Sequence, residues 1–297
     1  MLIITGAAGQ LGQAVILKCL ENGEEVCGCD IEPMPLSFLG KLSSWFQIDL
    51  ASPPKGFTWP KNATAVLHLA GSKFDLEFSF KSAMSLLREN LKATLGALAT
   101  CENNISRFIY VSSISVYSLK TKNPICEESI IEPVSMYGVT KWLGELACRL
   151  FKKENKYIEL IIIRLTQVYG PGTWQENAIY KLINQALSYK QLTLTCDKSI
   201  KRDYIYLTDA AEALNMAVFN CVPGIYNIGF GKAISMGKIA KIISEAIPCS
   251  LTPRFLKNKG TDRYLDTTRF SNSTNFKPVI SHSEGIRKEV ARIILEK

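Results

Sequence analysis

Hydrophobic positions along the chain switch between two periods. Residues 2–5, LIIT, are apolar throughout, as a strand covered on both faces requires. From residue 10 to 23 the apolar positions Leu11, Ala14, Val15 and Leu20 follow helical spacing, with Gly23 as a stop. Residues 24–30, 45–49 and 65–70 read as further strands, 78–102 as a long helix and 107–113 as a fifth strand. A helix over 137–155 precedes YIELIIIRL at 157–165, whose β-branched, apolar character predicts a buried strand. Strands alternating with helices predict an α/β fold with a parallel, doubly wound sheet.

Beyond residue 166 the pattern loosens, and Pro171, Pro223, Pro248, Pro253 and Pro278 punctuate shorter elements. The reading is a first domain over residues 1–165 that holds the sheet and a smaller C-terminal α/β lobe over 166–297, partly interleaved with the sheet. The lobe is expected over the sheet's carboxyl edge.

Composition narrows the class. In 297 residues, 47% hydrophobic and 21% charged positions are the mix of a globular protein rather than a disordered one. The net charge of +8 comes from scattered lysines and arginines, with no basic stripe interleaved with aromatics of the kind nucleic acid selects. Nine cysteines, odd in number and irregular in spacing, read as reduced thiols, and Cys27 and Cys29 form C-x-C rather than a metal or redox pair. No metal site is expected. No apolar run reaches membrane-helix length, and the first residues lack a basic leader, so a soluble cytoplasmic protein is expected.

TGAAGQLG then acquires meaning. Gly6, Gly9 and Gly12 leave a strand and enter a helix. Gly6 permits the sharp turn, Gly9 lets backbone approach a pyrophosphate, and Gly12 lets helix and strand pack closely. Asp30 closes the second strand, where a carboxylate accepts from both adenosine ribose hydroxyls and repels a 2′-phosphate. With no lysine or arginine between it and Lys41, NAD is favoured over NADP.

SMYGVTK places Tyr137 and Lys141 four apart, on one helical face. A free phenol, with a pKa near ~10, is a poor base at neutral pH. The adjacent ammonium and an oxidised nicotinamide are expected to lower that value and let Tyr137 take a proton from an alcohol or return one to a ketone. RFIYVSS ends in Ser112 and Ser113 at the carboxyl edge, where a hydroxyl can hold the reacting oxygen.

These motifs, together with HLAGSK (68–73), RLTQVYGPG (164–172), KRDYIYLTDAAEA (201–213) and YNIG (226–229), resemble the extended short-chain dehydrogenases/reductases. Within them the chain is similar to the NAD-dependent nucleotide-sugar epimerases and dehydratases, UDP-glucose 4-epimerases above all. The resemblance implies a catalytic set of Ser113, Tyr137 and Lys141, the lysine also holding the nicotinamide ribose. It implies that Gln10 and Leu11 line the pyrophosphate turn and that Asp49 and Leu50 bracket the adenine. Leu69, Ala70, Gly71 and Lys73 would run beneath the cofactor, with Asn90 nearby. Arg202 would contact the diphosphate of a nucleotide-diphosphate sugar unless it pairs with Asp203 or Asp209, and Arg254 or Arg263 would add a second contact. Packing or hydrogen bonding is expected of His68, and core packing of Tyr204 and Tyr206. A homodimer is implied through the 78–102 helix and the Tyr137 helix, with Leu86, Leu87, Leu91, Leu95 and Leu98 at the seam.

Departures select among reactions. Family dehydratases carry an acidic pair after the serine, whereas Ile114 and Ser115 stand here. Gln167 replaces the usual asparagine beside the substrate. An epimerase working at C4 is the leading reading. A 4-keto-sugar reductase using NAD(P)H is the alternative, disfavoured by Asp30 and by a missing S-T-D-x-V-F segment. A non-catalytic dinucleotide-sensing regulator is the third, set against three filled catalytic positions.

Overall fold

The computed structural model describes residues 1–72, 79–101, 104–172, 177–189, 191–247 and 260–296, and the backbone of 254–255. Strands β1 (Leu2–Thr5), β2 (Val26–Asp30), β3 (Ser44–Gln47), β4 (Ala65–His68), β5 (Arg107–Ser113) and β6 (Glu159–Leu165) alternate with helices α1 (Gln10–Glu21), α2 (Phe80–Leu86), α3 (Ala93–Ala99) and α4 (Met136–Glu154). The chain continues through β7 (Gln167–Tyr169), α5 (Ala178–Tyr189), β8 (Thr193–Leu194), β9 (Lys201–Arg202), β10 (Tyr204–Tyr206), α6 (Leu207–Asn220), β11 (Gly224–Ile228), β12 (Ile234–Ser235), α7 (Met236–Ala246), β13 (Arg254–Phe255), α8 (Thr268–Thr274) and α9 (His282–Leu295).

Seven strands form one sheet in the order β11-β6-β5-β4-β1-β2-β3, every neighbouring pair parallel. The order runs outward from β1 in both directions, so it reverses beside the glycine turn, where a crevice opens at the carboxyl ends of the strands. Both faces are covered. Ile4, Val15, Ile16 and Leu67 pack with Ala210, Leu214 and Val218 of α6 on one side. Ile3, Val66, Phe108 and Ile162 pack with Ala97, Leu98 and Cys148 on the other. A separate core is built from α5, α7 and α9 around Ile183, Ile239, Ile243 and Ile286. Between α5 and α7 in sequence, α6 lies against α1 and β11 extends the sheet beside β6.

The expected 78–102 helix differs in its middle and at its end. Residue 78 lies outside the described residues, as does 102. Between α2 and α3, residues Leu87–Lys92 form a wide π turn, and the helix stops at Ala99. The extra residue in such a turn re-aims side chains, and here it carries Asn90 into the interior, 2% exposed. Ser135 caps α4, its hydroxyl accepting from the Gly138 N–H at 3.1 Å, which fixes where the Tyr137 helix begins. Strand β6 buries Arg164 among Ile161, Ile162 and Ile163, a placement that sequence hydropathy alone opposes.

Candidate active site

A cavity of about 730 Å³ opens where β1, β2, β4, β5 and β6 end. Gly6, Gly9, Gln10, Leu11 and Gly12 form one wall of it, and Asp30, Asp49 and Leu50 a second. Leu69, Ala70 and Gly71 lie along its floor, while Ser113, Tyr137, Lys141 and Gln167 complete the far end. Lys73 lies outside the described residues. Asn90 does not line the cavity. It sits behind the wall, where its Oδ1 accepts from the Ser72 N–H at 2.6 Å and its Nδ2 donates to Thr140 Oγ1 at 2.8 Å.

The cradle fits a dinucleotide. Gly6 has φ 69°, and a Cβ there would lie 2.7 Å from the Ala70 nitrogen. A Cβ on Gly12 would lie 2.2 Å from the Gly6 carbonyl oxygen, so only glycine lets α1 start this close to β1. Helix α1 has no side-chain cap and no acidic residue in its first turn, which leaves its N–H groups and positive end for a phosphate. Asp30 Oδ2 accepts from the Ala8 N–H at 2.9 Å and Oδ1 from the Glu32 N–H at 3.1 Å. Two carboxylate oxygens hold about four lone-pair positions, so acceptor capacity remains for ribose hydroxyls.

At the other end, the side chain of Lys141 is almost fully buried and donates from Nζ to the Val111 carbonyl at 2.9 Å. Its ammonium lies 5.9 Å from the Tyr137 ring centroid and 5.4 Å from that of Tyr110. Gly71 is needed here too, because a Cβ would lie 2.6 Å from Asn90 Oδ1 and 3.7 Å from Lys141 Nζ. Ser113 Oγ accepts from the Ser115 N–H at 3.1 Å.

The expected lowering of the Tyr137 pKa is not what the protein alone produces. Burial pushes the phenol up to about 12, and a hydrogen bond with Ser113 opposes that rise without cancelling it. The side chain is partly open to the cavity. Phenolate in this cleft has lost most of its water, and a cation held to Val111 does not make up the loss. Burial likewise drives the pKa of His68 down to about 3. Its ring sits between Thr5 Oγ1 at 2.8 Å and Thr94 Oγ1 at 3.1 Å, a hydrogen-bonded spacer as expected rather than an acid or base. Tyr204 and Tyr206 are buried, also as expected.

A second cavity of about 260 Å³ adjoins the first, sharing Ile114, Ser115, Thr166 and Gln167 with it. Arg202 and Arg263 both line it. Arg202 donates to the carbonyls of Lys201 and Thr261 and pairs with neither Asp203 nor Asp209. Those carboxylates accept instead from the Phe230 N–H and from the N–H groups of Val279 and Ile280. Arg263 donates to the Ile114 carbonyl at 2.7 Å, while the side chain of Arg254 lies outside the described residues.

Sequence reasoning missed Arg88, which lines the cavity and pairs with Asp49 at 2.6 Å. Its position on a wide helical turn left no periodic signal. It also missed Glu145, one turn beyond Lys141, which binds Arg164 and Ser112. The 137-141-145 spacing and an arginine inside an isoleucine strand were the available signs.

No cluster of histidine, cysteine, aspartate or glutamate among the described residues could hold a metal ion. No helix among them is long and apolar enough to cross a membrane.

Known proteins resemble the chain in sequence and in fold. The chain is 27% identical to an uncharacterized UDP-glucose epimerase of Bacillus subtilis over 98% of its own length and 96% of the relative's. It is 24% identical to a dTDP-4-dehydro-6-deoxyglucose reductase of Escherichia coli, covering 98% and 96%. It superposes with a TM-score of 0.84 and 26% identity on the UDP-glucuronic acid 4-epimerase of Bacillus cereus, crystallised with UDP-glucuronic acid and NAD, covering 100% and 99%. The model of the NAD dependent epimerase/dehydratase family matches residues 2–229. With a glycine cradle, a strand-end carboxylate and a serine, a tyrosine and a lysine on one crevice, the chain belongs to that family of NAD-dependent enzymes.

Proposed function

We propose that this protein is an NAD-dependent nucleotide-sugar 4-epimerase. The observation that carries the reading is the meeting of Ser113, Tyr137 and Lys141 with the glycine turn and Asp30 on one cavity. NAD, when bound, supplies a hydride acceptor that returns the hydride to the sugar. Tyr137 takes the proton of the C4 hydroxyl and gives it back, and Ser113 holds that oxygen by a hydrogen bond. Lys141 orients the ribose and adds positive charge beside the phenol. Ile114 and Ser115 offer no acid–base pair for eliminating water.

Arg202 and Arg263 form the anion-binding end. Guanidinium forks match diphosphate oxygens with paired donors, and Arg202 carries no carboxylate partner in Asp203 or Asp209 to compete. Gln167 lines both cavities where they join, which supports a role between the sugar and its diphosphate.

The active form is a homodimer built on two helices from each copy. Met84 and Leu95 are 51% and 49% exposed, and Leu146 and Leu150 on α4 are 38% and 66% exposed. Leu86 and Leu98, by contrast, are buried within the chain and leave the seam to these neighbours. The eight free cysteines among the described residues fit a reducing cytoplasm.

The test is direct. Purified protein is incubated with UDP-glucose and UDP-glucuronate, without added cofactor, and the sugars are followed by NMR. Appearance of the C4 epimer supports the reading. No epimer from either sugar, with NADH or NADPH consumed by a 4-keto sugar, replaces it with the reductase reading.

A further inference from the structure

Gln10 is the first residue of α1, directly after Gly9. It reaches across the crevice to the segment that follows β7. Nε2 donates to the Gly170 carbonyl at 3.3 Å and also to the Pro171 carbonyl. More than a hundred and fifty residues separate the two sides, so the contact joins the glycine turn to the opposite wall of the cavity.

That opposite segment has a defined shape. Gly170 has φ 144° and Gly172 φ 70°, both in the region that disfavours a side chain. A Cβ on Gly170 would lie 2.7 Å from Leu207 Cβ, and one on Gly172 would lie 3.6 Å from Gln10 Cγ. The two glycines therefore let the backbone turn tightly and lie against the glutamine. Asn177 anchors the same wall, donating to the Val168 carbonyl at 3.0 Å, and lines the cavity with Gln10 and Val168.

Chemistry explains the residue type. A carboxylate at position 10 would oppose the pyrophosphate that the α1 N-terminus attracts, and an aliphatic side chain would leave the two carbonyls without this donor. A neutral amide of this length reaches both carbonyls and adds no charge.

We propose that Gln10 is a strap: its amide ties residues 170–171 across the pyrophosphate turn, and bound NAD leaves only after that tie opens. The inference rests on the NAD-dependent epimerase reading and deepens it. An epimerase must keep one cofactor molecule between its two half-reactions, whereas a reductase must exchange it after each one.

The test uses the full-length protein loaded with radiolabelled NAD and chased with excess unlabelled NAD. Gln10→Met keeps the length of the side chain and removes the donor, and Gln10→Ala removes both. The expected result is dissociation of NAD faster by about tenfold or more in each variant, since two hydrogen bonds are lost. The melting temperature of the NAD-free protein falls by no more than about 2–3 °C, the shift that a tenfold change corresponds to in a chain of this length. Release within about twofold of the parent, in variants that melt normally, overturns the strap while leaving the epimerase reading intact. A melting temperature lowered by more than about 5 °C alongside faster release assigns Gln10 a merely structural role and also overturns it. A parent protein that retains no labelled NAD sinks the strap and the underlying reading together.

Discussion

Ser112 Oγ donates to Glu145 Oε1 at 2.7 Å, which ties the end of β5 to the helix that carries Tyr137 and Lys141. The same carboxylate receives the Arg164 guanidinium through Nε at 2.9 Å and Nη2 at 2.8 Å. Arg164 also stacks over the Tyr117 ring at 4.8 Å, and Tyr117 donates to Asn227 Oδ1 at 2.7 Å. One buried ion pair thereby sets the distance between the serine strand and the tyrosine helix.

Breaking that pair is expected to cost far more than breaking a surface one. Glu145 is fully buried and Arg164 is 1% exposed, so Glu145→Ala strands a buried cation. The expected loss is about 3–5 kcal/mol in urea unfolding, and replacing both residues by apolar ones should recover most of it. A loss under about 1 kcal/mol, the range of exposed pairs, would show that the network is not holding the helix.

Protonation of Tyr137 should depend on what fills the cavity. Its folded pKa is raised, so the neutral phenol is favoured, and the associated stability is present below the unfolded value near ~10 and lost as pH rises through about 12. Difference absorbance between the parent and Tyr137→Phe should therefore show no tyrosinate from this residue at pH near ~10 in NAD-free protein. Loading with the oxidised cofactor, whose ring is positive, should move the transition to lower pH, and loading with the reduced form should move it less. A phenol that titrates at its ordinary value without cofactor contradicts this description of the site.

Asp203 gives the opposite kind of group a similar signature. It is 1% exposed, and burial pushes its carboxyl up to about 7 against the Phe230, Gly231 and Leu265 N–H groups that pull it down. The folded chain therefore holds a proton that the unfolded chain has released. Stability is greatest below the unfolded value near ~4 and falls as pH rises towards 7, by roughly 1.4 kcal/mol per unit for this one group. Asp203→Asn should flatten the profile of urea midpoint against pH over that window. Raised carboxyls at Glu127 and Asp209 add slope of the same sign and remain in the variant, so the comparison isolates Asp203. An unchanged slope would place its pKa elsewhere.

The sheet was legible because its strands are short, apolar on both faces and separated by helical spacing. LIIT and RFIYVSS fall where alternation placed them, and Ser113 ends its strand because the run of apolar residues ends there. The glycine turn was legible for a steric reason, since no other residue fits at Gly6 or Gly12. What escaped depends on contacts far apart in sequence. Nothing local says that the arginine of LIIIRL has Glu145 as its partner, nineteen positions upstream, or that Arg263 lies beside Arg202. The π turn at Leu87–Lys92 is invisible to a 3.6-residue template, and with it the inward aim of Asn90 and the outward reach of Arg88. The charged neighbour of Tyr137 is visible in sequence, whereas the desolvation that raises its pKa in the cofactor-free chain is not.

Reversible oxidation at one carbon, with Tyr137 moving the proton, is best tested by isotope. A UDP-hexose deuterated at C4 is incubated in ordinary water with purified protein and no added cofactor, and both epimers are isolated. The account predicts that each keeps its deuterium at C4, and that Tyr137→Phe slows their interconversion by about 10²–10⁴-fold. Epimers that have exchanged C4 deuterium for solvent hydrogen, or a phenylalanine variant as fast as the parent, would contradict it.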